Sequence, residues 1–157
     1  MIDPNIAKAL VGLGGIAAFG IAAVGSAIGC GMAAASAIGS WKRCYLQGKA
    51  APFQLTIFAG VSMTQTIYGL ILMLQVLNLD PRLWPAALAV GILGGLGIGA
   101  SAVYQGRAAA EACDSFSETG QGFANNLIAL GVVETIAIFS MVFSMMFLTN
   151  MAGKIAG

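Results

Sequence analysis

Histidine is absent from the 157 residues, and charge is scarce, with only 8% of the chain Asp, Glu, Lys or Arg. A soluble domain carries roughly 25% charged residues, so a water-facing globule is excluded. Cys30, Cys44 and Cys113 are the only cysteines and have no CxxC spacing. With no histidine beside them, zinc and haem centres are not expected, and the thiols read as small packing residues. The chain also lacks a G-x-x-x-x-G-K-[ST] phosphate loop and any nucleophile–base pair, which argues against ATP hydrolysis and covalent catalysis by the chain itself. Net charge is +1, and no basic run suggests nucleic acid. Short alternating strands of an outer-membrane barrel are missing too. The opening MIDPNIAKAL has no basic n-region or cleavage site, so the first apolar stretch is expected to be a retained span.

What the chain does have is hydrophobicity, 59% of its residues, gathered in four runs at about 9–38, 51–77, 84–110 and 123–151. Backbone polar groups find no partners in hydrocarbon, so each run should be a transmembrane helix, and the fold class is all-α membrane. The chain also repeats itself. SAIGCGMAAAS from Ser26 matches SAVYQGRAAAE from Ser101, an offset of 75, and QTI at Gln65 matches ETI at Glu134, an offset of 69. Two tandem fused helical hairpins follow, residues 1–79 and 80–157, in a parallel repeat. The first helix of each hairpin is rich in glycine, with Gly25 and Gly29 in one and Gly91, Gly95 and Gly99 in the other. Small faces let backbones approach closely, which suits the inner wall of a ring or bundle. The bulkier second helices suit the lipid side. Lys42, Arg43 and Lys49 place loop 39–50 in the cytoplasm by the positive-inside rule, with loop 111–122 beside it and both termini outside. Trp41, Tyr45 and Trp84 read as interface anchors, and Arg107 is expected to snorkel or to pair with Glu111.

Glu134 is the only charged residue between Thr119 and Gly153. A carboxylate inside a span is costly unless neutralised, and such acids mark ion pathways. Thr64 and Tyr68 lie four apart on one face of the second helix, with Gln65 about 100° around the axis. By the repeat, Gln65 stands where Glu134 stands, and Cys30 where Gln105 stands. A carboxylate, two amide oxygens and a hydroxyl can surround a hard monovalent cation, while a proton needs no such cage. On this pattern Gln65→Glu is expected to restore a second titrating site.

The glycine-rich-then-bulky hairpins, TQTIYG at Thr64, YQGRAAA at Tyr104 and VVETIAI at Val132 resemble the proteolipid (K or c) subunit of V-type and A-type rotary ATPases. The resemblance runs over nearly the whole chain. It implies a homo-oligomeric rotor ring in a lipid bilayer, coupled to ATP hydrolysis by partner subunits. A stator subunit would supply an arginine, and a central stalk would dock on the cytoplasmic loops. It implies Na+ as the cargo, with a proton as the alternative. The ligands would be Thr64, Gln65, Gln105, Glu134 and the Val61 carbonyl, with Tyr68 hydrogen-bonding the carboxylate. Here Ser62-Met63 replaces the Pro-Gly usual ahead of the Thr-Gln pair. The sodium-like pattern favours a prokaryotic plasma membrane. One acid per four helices favours a pump over a synthase. A small four-helix proton-coupled transporter is the rival, but its acid lies in the first helix, which here has none. A structural scaffold leaves Glu134 unexplained.

Overall fold

A computed structural model describes residues 2–156, with the side chain of Ala156 outside the description. Among these residues there is no strand. The order is α1 (Pro4–Leu46), α2 (Gln54–Gly60), a 3-10 turn (Val61–Met63), α3 (Thr64–Leu77), a 3-10 turn (Pro81–Leu83), α4 (Trp84–Thr119) and α5 (Phe123–Ala156). Helix α1, the α2–α3 pair, α4 with its leading turn, and α5 are four segments long and apolar enough to cross a membrane. They are called the first to fourth spans below. The protein is a multi-pass integral membrane protein.

The helices outrun the apolar segments that predict them. The first span, expected over 9–38, covers Pro4–Leu46; the third, expected over 84–110, continues to Thr119. Hydrophobicity marks where a helix meets hydrocarbon, whereas its end is set by backbone signals. Asp3 caps α1, its carboxylate accepting the Asn5 N–H at 2.8 Å, and Pro4 follows in the first turn. Gly120, at φ 65°, closes α4, and its N–H donates to Phe116 O at 2.8 Å. Most of the polar stretch expected as loop 111–122 is therefore helical. Two of its acids face α1, where Arg43 pairs with Asp114 at 2.6 Å and also with Glu118. Of the two alternatives for Arg107, the pair with Glu111 does not form; both side chains are exposed and no ion pair joins them.

The first and third spans run side by side in the same direction on glycine. A side chain added at Gly91 would strike the backbone of Gly14, one at Gly25 that of Gly99, and one at Gly106 that of Gly29. Nothing larger than hydrogen fits at these crossings. Two buried clusters flank the seam. One joins Val11, Ala18 and Leu72 to Val90, Ile98 and Leu148; the other joins Ala33, Leu55 and Phe58 to Cys113, Phe116 and Leu130. Both hairpins contribute to each cluster. Burial is uneven: the most apolar stretch of the third span is 56% buried and that of the fourth only 11%. Phe139, Phe143, Met146 and Phe147 all face outward from the fourth.

Candidate functional site

The second span does not pass the site as one continuous α-helix, as the apolar run 51–77 suggests. It breaks at Gly60 and makes a 3-10 turn over Val61–Met63 before α3 begins at Thr64. Glycine is a weak helix former. Ser62, fully buried in that turn, packs against Gly29 of the first span. The 3-10 turn forms with Ser62-Met63 in place of Pro-Gly, and the Val61 carbonyl oxygen lies 3.3 Å from the Thr64 hydroxyl.

Three of the expected side chains, from the second and third spans, converge on Glu134 of the fourth. Thr64 donates to Glu134 Oε1 at 2.7 Å, and the Tyr68 hydroxyl donates to the same oxygen at 2.8 Å. Gln105 Nε2 donates to Glu134 Oε2 at 3.4 Å and to the Leu130 carbonyl at 3.1 Å. Gln65 makes no hydrogen bond to the carboxylate. Its Nε2 donates to Gln105 Oε1 at 2.6 Å, and both glutamines are fully buried. Gln65 therefore joins the cage of Glu134 through Gln105. A glutamate at 65 would lie in that cage, beside Gln105.

Oxygen atoms crowd around Thr64. Its Oγ1 lies 2.7 Å from Glu134 Oε1, 3.2 Å from Gln65 Oε1 and 3.3 Å from the Val61 carbonyl oxygen. A threonine hydroxyl has one proton, so it satisfies one of these three acceptors. The others are lone pairs facing lone pairs. A small cation among them would satisfy all at once, and the carboxylate would balance its charge. The glutamate is half-buried, reachable from the side, while the amides behind it are closed off.

Reading the sequence missed two contacts. Ser101, one turn before Gln105, donates to the Val133 carbonyl at 2.8 Å, and Gln105 holds the Leu130 carbonyl as well as the acid. The i, i+4 spacing of Ser101 and Gln105 was the available signal.

A half-buried, hydrogen-bonded acid with an exposed edge thus sits on the least buried of the four membrane helices. Residues 88–147 match the family of the C subunit of ATP synthase, whose members are non-catalytic, ion-translocating rotor subunits that assemble into rings with an a-subunit partner. The match takes in Ser101, Gln105 and Glu134 and covers less than half of the chain. The similarity to that family therefore lies in the second hairpin. No curated protein matches the chain.

Proposed function

We propose that the chain is the rotor-ring subunit of a V/A-type rotary ATPase and carries Na+. The observation that supports sodium is the oxygen cluster of Val61, Thr64, Gln65 and Glu134, which holds more acceptors than its hydroxyl has protons to satisfy. With the ion bound, the carboxylate is neutral overall and can turn past lipid. A stator arginine, from a partner subunit, displaces the ion where it leaves. The outward apolar faces of the second and fourth spans meet lipid and the stator, and the glycine-lined first and third spans face the ring interior. One intramembrane carboxylate per four helices means few ions per turn, which favours ATP-driven pumping against a steep gradient. The end that bears Lys42, Lys49 and the Arg43–Asp114–Glu118 cluster faces the cytoplasm and receives the central stalk, both termini lie outside, and the membrane is a prokaryotic plasma membrane.

The experiment is labelling of Glu134 by a carboxyl-reactive carbodiimide with and without sodium. Protection by sodium near neutral pH is the expected result. Protection that follows pH alone, at any sodium concentration, would make the cargo a proton. A particle that stays monomeric in mild detergent would remove the rotor reading altogether.

A further inference from the structure

We infer that Ser101 is a positioning residue for the carboxylate, acting through the backbone of the fourth span. The fourth span is the least buried of the four, so its rotation about its own axis is weakly fixed by packing. That rotation sets where Glu134 points. Two side chains of the third span grip it just ahead of the acid. Gln105 donates to the Leu130 carbonyl at 3.1 Å, and Ser101 donates to the Val133 carbonyl at 2.8 Å. The donors are four residues apart on α4 and the acceptors three apart on α5, so they form a two-rung ladder along facing sides. Val133 immediately precedes Glu134. Holding its carbonyl holds the peptide plane that carries the Glu134 N–H. Ser101 is 4% exposed, so water does not compete for its hydroxyl.

The other hairpin supplies the internal comparison. Ser26 occupies the repeat position of Ser101 and is equally buried, at 4% exposed, yet its hydroxyl has no hydrogen-bond partner. Cys30 stands for Gln105 and has no amide to donate. The counterpart of the gripped stretch, on the second span, is interrupted by the 3-10 turn at Val61–Met63. The same serine is therefore engaged only where a carboxylate follows. The contact does not restate the cage, since Ser101 makes no hydrogen bond to Glu134 or Thr64.

The inference rests on Glu134 being an ion site, and the test separates the two. Glu134 labelling by carbodiimide is measured in the purified assembly, against sodium at fixed pH and against pH without sodium. Ser101→Ala should raise the half-protecting sodium concentration about three- to tenfold, the scale of one interhelical hydrogen bond in a membrane. Ser101→Thr, which keeps the hydroxyl, should return it towards wild type. Ser26→Ala should leave it unchanged. Equal titrations for Ser101→Ala and wild type, or an equal shift from Ser26→Ala, would overturn the inference. If sodium protects neither wild type nor variant, the sodium reading fails. The pH of half-maximal labelling then decides: Ser101→Ala must differ from wild type and Ser26→Ala must not.

Discussion

The two hairpins share a pattern and divide the chemistry. Hairpin one supplies the donors Thr64 and Tyr68; hairpin two supplies the acceptor Glu134. At the repeat positions, Val133 and Ala137 stand for Thr64 and Tyr68, and Gln65 stands for Glu134. Neither half holds a complete site. The glutamine at the acid's repeat position is not idle, since it is buried against Gln105 in the shared site. Complementary residues at matching positions of two similar helix pairs make one two-sided cage. It also leaves residual costs, among them the buried unpartnered hydroxyls of Ser26 and Ser62.

The comparison can be broken most directly at the acid. Glu134→Gln should abolish carbodiimide labelling and ion transport while the assembly keeps its size, because no other charged group lies in the fourth span's apolar stretch. Transport that survives this change would remove the carboxylate from the mechanism. Next in size is the seam between the hairpins. Gly106→Val places a side chain against the Gly29 backbone and should destabilise the fold by about 1–3 kcal/mol, read as a fall in Tm. Gly31→Val, where an added carbon meets nothing within 4 Å, should leave Tm near wild type. Equal effects would mean that the close approach is not what joins the halves. Within the cage, Tyr68→Phe removes one donor to Glu134 Oε1, a bond worth roughly 1.5–3 kcal/mol to a charged group. Sodium should then be about ten- to a hundredfold less effective in protecting the acid from label. The smallest effect lies in the turn between the hairpins. Asp80 accepts from Arg82 Nη2 at 3.1 Å and from its backbone N–H at 2.8 Å, which holds its carboxyl below the usual aspartate range. A lowered folded-state pKa contributes stability above the ordinary aspartate value and loses it as pH falls through the lowered one. Asp80→Asn should therefore lower Tm slightly at neutral pH, and the difference should vanish in strong acid. The pair is exposed, so the change is small.

Much of this architecture is legible in the residues alone. The four spans, the two hairpins and the lone acid follow from hydrophobic length and from self-similarity, which are properties of the chain in order. Helix ends are less legible, because apolar runs report the hydrocarbon thickness while Asp3 and Gly120 report the true starts and stops. The glycine spacing announces a close contact but not which backbones meet.

By itself, then, the sequence determined that the protein lives in a membrane, that its helices come in two similar pairs, and that Glu134 carries the only charge deep in the fourth span. Period, length and composition suffice for that, since hydrocarbon tolerates few alternatives. Only the tertiary structure decided that Gln65 turns inward onto Gln105, that the second span breaks at Val61–Met63, and that Ser101 takes the Val133 carbonyl while Ser26 takes nothing. Those outcomes depend on the rotation and depth of one helix against another. Two serines with nearly the same neighbours in sequence can differ there, because hydrogen bonds between helices are settled by distances of a few tenths of an ångström that local sequence does not encode.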